Sequence, residues 1–276
     1  MSFPVPYYFQ PSCSIFIKDH FQLSRGKMLK NTYIHIPGVG KSLEQKIWAS
    51  GIRTWDEFLE MEDRILIPPT KRARICEGIK VSSSHLAVKD CFFFSQRLPS
   101  AEHWRAYSLF SDSVAFFDIE TTGLSPARDK ITVVGIYNGS ETKTYVRGIN
   151  LEDLVEEFSK YRLLVSFNGA RFDIPFIKSE FPEIDFKQLH IDLMYPLRRI
   201  GYGGGLKKIE KILGICRSED TDGMDGFDAV RLWKQYEKGD SEALELLVKY
   251  NREDIVNLKS IIELTYPKMV EKALQM

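Results

Sequence analysis

The chain has 276 residues, 43% of them hydrophobic, which allows one full domain plus a smaller one and excludes a disordered polymer. Its 38 Lys/Arg and 38 Asp/Glu cancel, yet residues 1–110 carry fifteen basic against ten acidic side chains and residues 111–276 twenty-three against twenty-eight. There is no basic leader with an apolar core, no bilayer-length apolar run, and no CxxC or compact framework among Cys13, Cys76, Cys91 and Cys216, so a cytoplasmic protein without membrane contact is expected.

Residues 1 to about 32 mix aromatics with Pro4, Pro6 and Pro11 without a sustained period, which predicts loops and short irregular elements. After Pro37-Gly38-Val39-Gly40, the spacing of Leu43, Ile47 and Trp48 predicts a short helix stopped by Gly51. Thr54 and Glu57 have capping-box spacing for a second helix. Residues 33–61 resemble half of a helix–hairpin–helix element, which implies that Gly38, Gly40 and Lys41 meet a nucleic-acid phosphate. Glycines permit close approach and a helix N-terminus favours an anion. A compact hairpin used only for packing fits the same residues. Pro68-Pro69 marks a break, Lys71–Val81 a helix, Ser82–Ser84 a loop or cap, and Ala101–Leu109 a further helix. Cys91, among phenylalanines, reads as a core thiol, and His103 and Trp104 as surface or packing residues.

From residue 111 the order is three strands, a helix, a strand, a helix, a strand and then mostly helices. The strands are Val114–Ile119, Lys130–Tyr137, Thr142–Val146 and Arg162–Phe167, with a helix over Leu151–Ser159. Helices follow over Leu206–Leu213, Gly226–Tyr236 and Ser241 to about Leu264. Hairpin strands followed by helix–strand alternation predict an α/β fold: a mixed sheet with helical cover, preceded by a smaller, mainly helical region.

Three stretches carry the chemistry. Asp118 and Glu120 stand two apart on the first strand and share a face; two such acids repel each other unless a cation lies between them. Asp173 follows Asn168-Gly169-Ala170-Arg171-Phe172 at the opening of a helix. Tyr250 and Asp254, four apart, share one helix face. An acidic strand end, a helix-dipole acid and a packing tyrosine would explain each stretch separately.

Taken together and in order, the three stretches resemble the motifs of DEDD-type 3′–5′ exonucleases with the ribonuclease H-like fold. The resemblance covers roughly residues 112–265, in the subgroup with Tyr in its third motif (DEDDy). Gly204-Gly205-Leu206-Lys207-Lys208-Ile209-Glu210-Lys211-Ile212-Leu213-Gly214-Ile215 resembles the YprB-like branch. The resemblance implies an N-terminal region over 1–110 and an exonuclease domain over 111–276. It implies that Asp118, Glu120 and Asp254 hold one ion, that Asp118 and Asp173 face a second, and that Tyr250 aligns the attacking water. Two magnesium or manganese ions suit such an oxygen-only site. The implied partner is DNA or RNA with a 3′ end, with Leu124 wedged against its terminal base and Asn168 and Arg171 as further contacts. His190 and Asp192 are expected behind the site, and Arg198, Arg199, Lys207, Lys208 and Lys211 as a basic rim. A structure-specific endonuclease and a non-catalytic nucleic-acid-binding protein are the alternatives.

Overall fold

The computed structural model describes residues 27–275; of the irregular start expected over residues 1 to about 32, residues 1–26, with Cys13, lie outside the described residues, as does Met276. A 3-10 turn at Met28–Asn31 leads to helices α1 (Lys41–Ala49), α2 (Trp55–Met61), α3 (Pro69–Ala87) and α4 (Cys91–Arg97). The capping box ahead of α2 forms as its spacing predicts. The Glu57 N–H donates to the Thr54 hydroxyl at 3.2 Å, and the Thr54 N–H donates to the Glu57 carboxylate at 2.9 Å. Pro69 opens α3, where its missing N–H leaves no bond unmade. This helix continues through the expected loop at Ser82–Ser84, where the Ser82 and Ser84 hydroxyls donate to the carbonyls of Gly78 and Lys80 one turn back instead of breaking the helix. The helix expected over Ala101–Leu109 is instead a 3-10 helix at Ser100–Ala106 followed by one α-helical turn, α5 (Tyr107–Phe110).

The sheet comprises β1 (Val114–Thr121), β2 (Ile131–Tyr137), β3 (Thr142–Val146), β4 (Leu163–Ser166) and β5 (Leu189–Asp192), in the order β3-β2-β1-β4-β5. β1 runs antiparallel to β2 and parallel to β4, which in turn is parallel to β5. The chain is thus an α/β protein with a mixed ribonuclease H-like sheet and helical cover. β1 is the central strand, which is why Val114 to Phe117 are apolar on both faces. One face, with Phe117 and Leu164, packs against α6 (Leu154–Glu157), the 3-10 turn after it and α7 (Asp173–Glu180) through Leu154, Phe158, Phe176 and Ile177. The expected helix over Leu151–Ser159 contains only α6, with 3-10 turns on either side.

The other face, with Phe116 and Val165, belongs to a hydrophobic cluster that runs from Met28 and Trp55 to Met269 and Ala273. Packing is therefore continuous across the 110/111 boundary. After β5 come α8 (Met194–Arg199), α9 (Leu206–Leu213), α10 (Gly226–Tyr236) and α11 (Ser241–Gln275). α11 extends beyond its expected end and passes Pro267. An interior proline costs about 3 kcal/mol in a helix. Burial of Tyr266, Met269, Val270 and Ala273 against the large cluster offsets that cost. Among the described residues, no helix is long and apolar enough to cross a membrane.

Candidate active site

The alternation of β1 puts Asp118 and Glu120 on the same face, opposite Gly135 and Val133 of β2. α11 crosses this end of the sheet closely because Gly135 has no side chain. A Cβ there would lie 2.0 Å from Asn251 Oδ1 and 3.0 Å from Ile255 Cδ1. At this crossing the Asn251 amide donates to Asp118 Oδ2 at 3.0 Å and to the Asp118 carbonyl at 3.3 Å. One helical turn further on, Asp254 reaches the same place. One carboxylate oxygen each from Asp118, Glu120 and Asp254 lie within 4.8 Å of one another. Asp173, at the start of α7, accepts the Ile119 N–H at 3.2 Å and is thereby fixed beside the strand between the first two acids.

Glu120, Asp173 and Asp254 are buried and Asp118 is half-buried beside them, with little compensation. Burial pushes Asp118 and Glu120 well above the usual carboxylate range, and the other acids push in the same direction. Burial also raises Asp173 to about 7, against two backbone N–H groups that favour its charged form. Asp254 rises to about 6, held down by Arg217. Glu120 Oε1 is buried without a hydrogen-bond partner. An all-oxygen donor set, a mutual approach within 4.8 Å and an orphaned buried oxygen together fit a hard divalent cation.

Two side-chain cations border the acids. Lys207, on α9, donates from Nζ to the Tyr250 hydroxyl at 2.5 Å and to the Met224 carbonyl. Burial lowers the pKa of Lys207, with Asp254 opposing. Burial first, and then the charges of Asp254, Glu120 and Asp118, raise Tyr250 far above the ordinary phenol, so its hydroxyl keeps its proton. Arg217 pairs with Asp254 and Glu210.

Asp118, Glu120, Asp173, Tyr250 and Asp254, expected from sequence to act together, line one cleft of about 500 Å³. Leu124, 75% exposed, and Asn168 line it as well. Asn168 adopts a left-handed backbone, φ +64°, and Asp192 explains how that turn is held. The Asp192 carboxylate accepts N–H bonds from Asn168 at 2.8 Å, Ala170 at 3.1 Å and Met194 at 3.2 Å. His190 bonds the Ser166 hydroxyl at 2.8 Å and does not line the cleft. Exposed Arg171 is also absent from the lining.

The helical hairpin lies elsewhere, since the cleft lining contains no residue before Asp118. Lys41 pairs with Glu102 at 2.8 Å, and Gly38 lies under the Arg74 guanidinium. Of the expected basic rim, only Lys207 lines the cleft; Arg199 pairs with Glu102 at 2.9 Å and Lys211 with Asp222 at 3.6 Å. Asn251, Arg217 and Phe227 were not singled out by the sequence reading. Asn251 stands three residues before Asp254, a helical spacing that carries a signal. Phe227 lines the cleft from the first turn of α10 and is 72% exposed. Arg217 lies in an irregular segment with no periodicity to mark it.

Residues 115–266 match the family model described as RNase_H superfamily. The uncharacterized protein MJ0365 of Methanocaldococcus jannaschii is 29% identical over 159 residues, 51% of this chain and 88% of that protein. Among solved structures, the family B DNA polymerase of Pyrobaculum calidifontis aligns with a TM-score of 0.46 and 16% identity. That alignment covers 58% of this chain and only 27% of the polymerase. Brucella melitensis NrnC bound to pGG aligns with a TM-score of 0.41 and 20% identity, covering 60% and 80% of the two chains.

Proposed function

The chain belongs to the RNase H superfamily, and on that premise we propose that it is a divalent-metal-dependent 3′–5′ exonuclease of the DEDDy type. Its substrate is a 3′ end of DNA or RNA, and its products are 5′-mononucleotides. One observation carries the reading: three buried carboxylates, the half-buried Asp118 and a tyrosine, drawn from three distant segments, line a single cleft.

Asp118, Glu120, Asp173 and Asp254 would hold the ions, magnesium or manganese, as a pair. Bound ions supply the positive charge that lets water attack a phosphodiester and lets the leaving oxygen depart. The other roles belong to side chains. Tyr250, kept protonated by burial and by its acidic surroundings, orients the attacking water through its hydroxyl. Lys207, beside that hydroxyl, offers an ammonium to a phosphate oxygen. Leu124 and Phe227 give the cleft exposed apolar walls. Stacking a base on the Phe227 ring is worth about 1–3 kcal/mol and tolerates any sequence, which suits an unpaired end. The Gly38–Gly40 hairpin and Lys41, outside the cleft, would contact more distant phosphates.

End-labelled single-stranded DNA and RNA, incubated with magnesium, manganese or EDTA, test the reading. Stepwise loss of 3′ nucleotides is expected with either metal and none with EDTA, and Asp118→Asn is expected to be inactive. Cleavage of circular substrates would replace the exonuclease with an endonuclease. Tight binding without turnover would leave a binding protein.

A further inference from the structure

Arg217 is more deeply built into this region than a charge-balancing side chain requires. Its side chain is 3% exposed. Nε and Nη2 fork onto Glu210 at 2.7 and 2.6 Å, and Nη2 also bonds Asp254 Oδ1. Glu210, itself 2% exposed on α9, takes a third bond from Asn257 of α11 at 3.0 Å. The guanidinium is thus fixed against two helices at once. The segment that delivers it is fixed as well. Glu253, the neighbour of Asp254, accepts the Ser218 N–H at 3.2 Å and the hydroxyl of fully buried Thr221. The helical turn that presents Asp254 therefore also anchors the segment that presents Arg217.

The pair with Glu210 would by itself satisfy a structural ion pair. The additional bond to Asp254 Oδ1 does something different, because an Asp254 oxygen stands within 4.8 Å of oxygens of Asp118 and Glu120, acids that repel it when ionised and favour its turning away. We propose that Arg217 is a positioning residue that clamps Asp254 Oδ1 and leaves Oδ2 to face the cation, so that the 214–225 segment sets the affinity of the centre for metal. The proposal rests on the metal-binding part of the reading above and not on turnover. It requires the fork geometry of arginine, since a lysine ammonium cannot meet Glu210 twice and Asp254 once in a plane.

The test is Mn²⁺ binding to the full chain without nucleic acid, measured from the free-ion signal in electron paramagnetic resonance. Partners that orient metal ligands typically change affinity by about 10–100-fold, and weakening on that scale is expected for both Arg217→Gln and Arg217→Lys. Glu210→Gln, which keeps Arg217 and Asp254 but loosens the fork, is expected to shift affinity in the same direction by less. It also carries the test if the Arg217 variants do not fold. With excess metal, the KM for a short oligonucleotide should stay at the wild-type value. Unchanged Mn²⁺ affinity in folded variants overturns the proposal, as does tighter binding in Arg217→Gln, which would make Arg217 a competitor of the metal. Normal binding in Arg217→Lys overturns it too, because charge alone would then suffice. Wild-type protein that binds Mn²⁺ but cleaves nothing refutes the exonuclease and leaves the role of Arg217 measurable. Wild-type protein that binds no Mn²⁺ refutes both.

Discussion

Two buried charge clusters in this chain resolve the same electrostatic problem in opposite ways. In the helical region, Glu44 and Glu102 are 1% and 2% exposed, and Arg105 lies between them. Arg105 Nη1 meets both Glu44 oxygens at 3.0 and 2.9 Å, and its Nε meets Glu102 at 2.8 Å. Burial opposes the charged form of Glu102, but Arg105, Lys41 and Arg199 outweigh it and leave its pKa below the usual range. At the end of β1, burial raises the pKa values of all four acids, and Arg217 and Lys207 offset only part of the rise at Asp118, Glu120 and Asp254. A cluster that supports only the fold supplies its own counter-charge. One that leaves its acids under-compensated is completed by something that binds.

The sharpest way to break the contrast is Arg105→Ala. Removing one partner from a buried ion network costs about 3–5 kcal/mol, so denaturant unfolding should shift by that amount with or without magnesium. Asn251→Ala acts at the other cluster. It frees Asp118 and is expected to weaken metal affinity and hydrolysis by about 10–100-fold, measured by Mn²⁺ titration and oligonucleotide cleavage, with little change in Tm. Gly135→Ala forces α11 off the sheet. Overpacking of this kind costs about 1–3 kcal/mol, and here chemical denaturation and cleavage should both suffer.

The smallest effect is the most diagnostic. Asp173 and Asp254 ionise at about 7 and about 6 in the folded chain, against an ordinary value of 3.8. The folded state then holds more protons than the unfolded state across that interval, so the stability from these groups is full below about pH 4 and is lost as pH rises toward 7. Thermal melting in EDTA should show Tm falling between pH 5 and 7.5. Excess magnesium should flatten the slope, as Asp173→Asn should in part. A Tm that rises with pH in EDTA would contradict the under-compensated cluster.

The elements whose local signals agree with their packing were legible in the sequence. The residues of β3, α9 and α10 coincide with their expected ranges, and the Thr54–Glu57 cap follows from spacing alone. Four of the five cleft residues could be named because strand alternation pairs Asp118 with Glu120 and helical spacing pairs Tyr250 with Asp254, whereas Asp173 stood out only by its place in the stretch that opens a helix. Long-range packing was not legible. Ser82–Ser84 and Pro267 look like breaks, yet α3 runs on with the Ser82 and Ser84 hydroxyls bonded one turn back, and buried surface around Pro267 keeps α11 continuous. Arg217 was hidden for a related reason, since it lies in irregular chain and its partners are Glu210, seven residues away, and Asp254, thirty-seven away. The hairpin at Gly38 has the composition of a phosphate contact, but nothing local indicates that it folds away from the acid cleft.

The bond from Asn251 back to Asp118 spans 133 residues and joins the centre of the sheet to a helix late in the chain. During synthesis, the strand carrying Asp118 and Glu120 therefore leaves the ribosome long before the helix that completes their set. A nascent or prematurely terminated chain lacking α11 has neither Tyr250 nor Asp254 and cannot assemble the centre. The order of translation itself thus withholds the assembled acidic cleft from every unfinished copy.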